Sequence, residues 1–159
     1  MSELADLAAC LNSAGGDAKA LEDAGSAHLA ASGHRILSSR AVEGLAMTAR
    51  ETWGGISALV TVKRGVRIRN PVHLCFGVLH RKGTQKIDMA VTLEEGAFAH
   101  FIAHCLFPKA EKVRHIMDAS VTVGDGAEMR YSETHYHGPH GGVNVVPKLV
   151  VTVGKNARY

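Results

Sequence analysis

From Val60 onward the chain alternates short apolar stretches with polar turns, and one phrase of seven residues returns. Val60-Thr61-Val62-Lys63-Arg64-Gly65-Val66 is echoed by Val91-Thr92-Leu93-Glu94-Glu95-Gly96-Ala97, by Val121-Thr122-Val123-Gly124-Asp125-Gly126-Ala127 and by Val151-Thr152-Val153-Gly154-Lys155-Asn156-Ala157. The starts are separated by 31, 30 and 30 residues. Each unit also holds a second apolar stretch, at residues 73–79, 98–106 and 129–137. An apolar-Thr-apolar run alternates as a strand does, and Gly or Asn at the turn supplies positive φ at little steric cost. A stacked coil rewards equivalent residues at a constant period, whereas a sandwich or jelly roll of antiparallel hairpins has no physical reason to repeat the same strand and turn. The pattern predicts a mainly β solenoid with two short strands per coil.

The first third has a different texture. Ser2 before Glu3 and the apolar set Leu4, Leu7, Ala8 and Leu11 predict a helix with a serine N-cap, closed by residues 12–16. A second helix is expected over residues 17–24 with Gly25 as its stop, and a helical or mixed segment over 38–52, broken by Trp53-Gly54-Gly55. The expected organisation is a small Ala-rich helical or mixed segment, residues 1–55, followed by the β-helix, residues 56–159. The last copy of the repeat has no polar cap after it, so its edge is expected to be covered by a like subunit, a related partner or residues missing from this chain.

Composition narrows the function. Aromatic residues make up only 5% of the chain, so the core must be built from Val, Leu, Ile, Ala and Met. The net charge of +3 is spread over short basic groups with no stripe of interleaved aromatics, which argues against nucleic-acid binding. Three cysteines are too few for a secreted disulfide framework, and the acid-bearing N-terminus lacks the pattern of a signal peptide, so a cytoplasmic location is expected. No phosphate-binding glycine loop, dinucleotide fingerprint or nucleophile elbow is present in the sequence.

The candidate chemistry lies in the second and third repeats. On a strand, Glu133, His135 and His137 point to one face, and His140 returns from a Gly-Pro turn; carboxylate and imidazole at this spacing suit a divalent transition metal. Histidines lining a solvent face give the same spacing without a metal. One repeat earlier, His100 and His104 share a face while Cys105 points the other way. A period of 30 places Cys75, Cys105 and His135 in one column, which is a packing column if it faces inward and a ligand ladder if it faces outward. Cys10, in the helical region, reads as packing. The His-x-His strand is also similar to the first signature of cupins, although the Glu that should follow is missing, so a small cupin-like metal-dependent enzyme using His135, His137 and His140 stands as the alternative. A purely structural module is the third reading.

The run from Asp118 to Tyr131, leading into His135-Tyr136-His137-Gly138 and Val145-Val146-Pro147-Lys148, resembles the core of the SufB/SufD scaffold family of iron–sulfur cluster assembly. Val66-Arg67-Ile68-Arg69-Asn70-Pro71-Val72-His73-Leu74 is similar to that family's entry into its β-helix. The resemblance covers about residues 56–159 and implies a right-handed parallel β-helix, a non-catalytic scaffold, pairing of two like subunits and recruitment of a SufC-type ABC ATPase. It implies that iron or a nascent iron–sulfur cluster is held transiently, with Cys105, Glu133, His135 and His137 as candidate ligands by their chemistry and with His140 and Cys75 as further metal candidates. No counterpart of the family's C-terminal ATPase-contacting helices follows Tyr159, so the chain reads as a short member or a fragment.

Overall fold

Ser2 caps the first helix as expected, its Oγ accepting the Ala5 amide at 3.3 Å, and α1 runs Glu3–Ser13 in the computed structural model, which describes residues 2–159. Leu7, Cys10 and Leu11 form its buried face. The second expected helix is a single 3-10 turn, Ala18–Leu21. Asp23 bonds the Gly25 amide at 3.0 Å and the Ser26 hydroxyl at 2.6 Å, drawing the chain into a turn that a continued helix cannot make.

Residues 38–52, expected helical or mixed, are strand and connecting turn instead. β1 (His28–Ser32) and β2 (Arg35–Arg40) form one antiparallel hairpin, and β3 (Leu45–Thr52) and β4 (Gly55–Val62) form another around Trp53-Gly54. The helix-favouring Ala46, Met47 and Ala49 are overridden by pairing along the whole length of β4, an example of tertiary context outweighing propensity.

The rest of the chain winds as parallel coils through β5 (Val72–Gly77), β6 (Lys82–Leu93), β7 (Phe98–Phe107), β8 (Lys112–Val123), β9 (Glu128–His137) and β10 (Val143–Val153). One sheet has the order β2-β1-β5-β7-β9 and the other β10-β8-β6-β4-β3. The result is a β-solenoid of about three turns preceded by one short helix. In β6 and β8 alternate residues are buried, Gln85, Ile87, Met89, Val91 and Leu93 against His115, Met117, Ala119, Val121 and Val123. Such alternation is unusual for parallel strands, which mostly lie buried on both faces; here one face fills the lumen and the other meets solvent. β5 and β1 lose the alternation because α1 covers their outer face: Leu7, Cys10 and Leu11 pack on Ala30, Cys75 and Leu106 while Leu29, Leu74 and Phe76 fill the lumen.

A ladder of turns sets the stacking. Gly65, Gly96 and Gly126 hold φ of 67°, 67° and 66°, and Asn156 takes the same place at 54°. The amides of Gly65, Gly96 and Gly126 donate to the carbonyls of Glu95, Asp125 and Lys155 in the next coil at 2.9, 2.9 and 2.8 Å. No described helix is long and apolar enough to cross a membrane.

Gly126 has no heavy atom within 4 Å of where a Cβ would stand, so Gly126→Ala should cost only the left-handed backbone strain, about 1–2 kcal/mol. Gly126→Asn, copying the residue at 156, should cost less. Urea midpoints at unchanged slope measure both; equal losses for the two variants would contradict backbone strain as the cause.

Candidate metal centre

Register decides which donors meet. Cys105 lies opposite His135 across β7 and β9, as a period of 30 requires. Cys75 does not join them: it lies opposite His104, while Phe76 lies opposite Cys105. The cause is local. Arg67 bridges Phe98 and Val72 pairs with Phe101, so the stretch containing Asn70-Pro71 holds two more residues than its successor and shifts the offset to 29. A one-residue shift moves a side chain to the other face, and Cys75 accordingly packs beneath α1. Burial raises its pKa to about 12.

Cys105 faces the lumen with no exposed surface, beside Phe107 and Val78. Cys105 also meets polar side chains. Its Sγ, a Glu133 oxygen and a His135 nitrogen all lie within 4.8 Å of one another. His135 Nε2 is 2.6 Å from Glu133 Oε1, Tyr131 donates its hydroxyl to Oε2 at 2.9 Å, and the Cys105 thiol lies 3.7 Å from Oε1. Burial raises the pKa of Glu133, but the hydrogen bonds from His135 and Tyr131 outweigh it and hold the carboxyl below its ordinary value. A carboxylate only accepts, so His135 Nε2 carries the hydrogen toward it. Burial first, and then the Glu133 charge, push the Cys105 thiol well above its ordinary pKa. The side chains of Glu133 and His135 are each 29% exposed, so the group is closed on the lumen side and open on the other. Behind Glu133 lies a cavity of about 110 Å³ lined by Leu74, Phe101, Met129, Tyr131 and Tyr159.

His137 stands beside the group, its ring stacked on that of His135 at 6.2 Å and edge-on to Phe107 at 5.6 Å. His140 is exposed in the Gly-Pro turn and supplies no atom to the group. The His135, His137 and His140 triad expected of a cupin-like site is therefore not brought together. His104 lies on the opposite face from Cys105, as parity requires, buried close to Gly16.

Sequence reasoning missed His115 and Gln85, which lie in register on β8 and β6 and face the lumen. His115 Nε2 is 3.5 Å from Cys105 Sγ and its Nδ1 is 3.1 Å from Gln85 Oε1. Burial lowers the pKa of His115 to about 4, with nearby His135 adding to the effect and Glu133 opposing it. The signal was available: two polar residues one period apart at positions where every other lumen residue of β6 and β8 is apolar or small.

Over 125 residues, 79% of its length, the chain is 34% identical to an iron–sulfur cluster assembly SufBD family protein of Methanocaldococcus jannaschii. Over 128 residues it is 31% identical to an iron–sulfur cluster assembly SufBD family protein of Pyrococcus horikoshii. It spans about 40% of the length of these curated relatives. No family model matches the chain, and no solved structure matches it.

The pKa of His115 falls from 6.5 to about 4 on folding, and those of His28, His73 and His104 are lowered as well, chiefly by burial. The folded chain therefore holds these rings neutral. The stability this provides is full above pH 6.5 and is lost as pH falls towards 4, because the unfolded chain takes up protons that the folded one refuses. His115→Gln should flatten the decline over this range by up to about 3 kcal/mol. Denaturant unfolding from pH 7 to pH 4 reads it, and an unchanged slope in the variant would contradict a buried neutral ring.

Proposed function

The chain belongs to the SufBD family, and on that premise we propose that it is a scaffold component of iron–sulfur cluster assembly, holding ferrous iron or a nascent cluster transiently at Cys105, Glu133 and His135. The observation that carries this reading is the convergence of one sulfur, one carboxylate and one imidazole donor within 4.8 Å at the open side of the lumen. A thiolate and a carboxylate together supply two negative charges, which match a divalent ion, and a mixed sulfur, nitrogen and oxygen set suits iron or zinc better than magnesium or calcium. Partial exposure of two of the three donors supports exchange of cargo rather than permanent storage. The adjoining apolar cavity of about 110 Å³ is well below the usual size of a small-molecule pocket, which supports an inorganic cargo over an organic substrate. His137, stacked on His135, is a reserve donor.

The same reading has a like subunit meet the β9–β10 edge, where Val146, Leu149, Val150 and Val153 are exposed. Apolar strand surface of this kind calls for a partner.

Anaerobic reconstitution with ferrous iron and sulfide tests the reading. The wild-type chain should retain iron and acid-labile sulfide through gel filtration and show visible sulfide-to-iron absorption. Cys105→Ser should lose most of that absorption and His135→Ala should weaken it. Wild-type protein that emerges with neither iron nor sulfide would sink the scaffold proposal.

A further inference from the structure

We propose that His115 is a fourth donor of this centre, with its lone pair aimed at the cation by Gln85; the proposal rests on reading Cys105, Glu133 and His135 as a metal-holding group. Hydrogen-bond logic around Gln85 is the starting point. Its Nε2 donates to the carbonyls of Gly33 at 2.9 Å and of Gly77 at 3.0 Å, so both amide hydrogens are committed. A flipped amide would set Oε1 against two carbonyl oxygens, and the orientation is thereby fixed. Oε1 only accepts, and it lies 3.1 Å from His115 Nδ1, so Nδ1 carries the ring hydrogen. A neutral ring then has its lone pair on Nε2, 3.5 Å from Cys105 Sγ.

The Cys105 thiol has a single hydrogen but faces two acceptors, His115 Nε2 at 3.5 Å and Glu133 Oε1 at 3.7 Å. Glu133 Oε1 already accepts from His135 Nε2 at 2.6 Å, so the thiol hydrogen falls to the His115 lone pair. A divalent cation can take the place of that hydrogen: the thiol releases its proton to solvent, and the thiolate, the imidazole lone pair and the carboxylate each bond the ion.

Spacing supports the assignment. A metal–sulfur bond of about 2.3 Å and a metal–nitrogen bond of about 2.0–2.1 Å at a tetrahedral angle put the two donors about 3.5 Å apart. Cys105 and His115 stand at that separation before any ion arrives. Glu133 and His135, at 2.6 Å, are closer than two ligands of one ion, so His135 must swing away from the carboxylate on binding. His115 is 1% exposed and tethered, whereas the Glu133 and His135 side chains are partly exposed. His115 and Cys105 are therefore the rigid half of the centre, and Glu133 and His135 the adaptable half.

Two measurements test this. Long-range proton–nitrogen NMR of the wild-type imidazole should show His115 protonated on Nδ1 and bare on Nε2; a ring protonated on Nε2 would overturn the proposal without any variant. Anaerobic titration with cobalt(II) alone should give the wild-type chain a thiolate charge-transfer band and the visible bands of a four-coordinate ion. His115→Gln should keep the thiolate band, shift the visible bands and bind cobalt at least about tenfold more weakly. Unchanged affinity and visible bands in His115→Gln, with the thiolate band lost in Cys105→Ser, would remove His115 and leave the Cys105 reading intact. No cobalt band in the wild-type chain would overturn both.

Discussion

A turn in which one residue takes left-handed backbone is repeated at the same point of successive coils, and the position of nearly every other side chain follows from it. Gly65, Gly96, Gly126 and Asn156 let the strands of the second sheet end level with one another, and amide-to-carbonyl bonds from each turn to the next hold that level. A slip of one residue would turn Ile87, Met89, Val91 and Leu93 out of the lumen and their polar neighbours in. The same registration puts Gln85 beside His115 and Cys105 beside His135. The chemistry is thus a by-product of stacking: no loop has to be shaped to bring the donors together.

The lumen is otherwise apolar, and two polar side chains in it would be destabilising if left unpaired. Gly33 and Gly77 solve the problem. Gly33 follows β1 and Gly77 ends β5, and their carbonyls point into the lumen to take both amide hydrogens of Gln85. The chain of bonds runs from these carbonyls through Gln85 and His115 to Cys105, and then to Glu133, His135 and Tyr131. Polarity rises along it from a fully buried amide to a partly exposed carboxylate, so any ion at the far end is held from within and reached from outside.

Much of this was legible in the sequence, and the reasons for the failures are local. The repeat was visible because a solenoid places equivalent residues in equivalent surroundings, and the parity of β9 correctly put Glu133, His135 and His137 on one face. The pairing of Cys105 with His135 followed from the same period. Cys75 was misplaced because the segment holding Asn70-Pro71 adds residues to a single coil, and a fixed period cannot report a local insertion. The segment over residues 38–52, expected helical or mixed, is strand because Ala-rich strands carry the composition of a helix, and only their pairing with β4 and β1 reveals them. His115 went unnoticed because attention to clustered histidines passes over one that is isolated in sequence and brought to the group by the facing sheet.

The two hairpins at the start of the solenoid have a consequence for growth. β2 and β3 run antiparallel to their neighbours, so the coil direction reverses at that end. A stack of identical solenoids needs an end that continues the parallel winding on each face of every copy, and this end cannot offer one. The parallel winding of the coils can therefore be continued only from the β9 and β10 side.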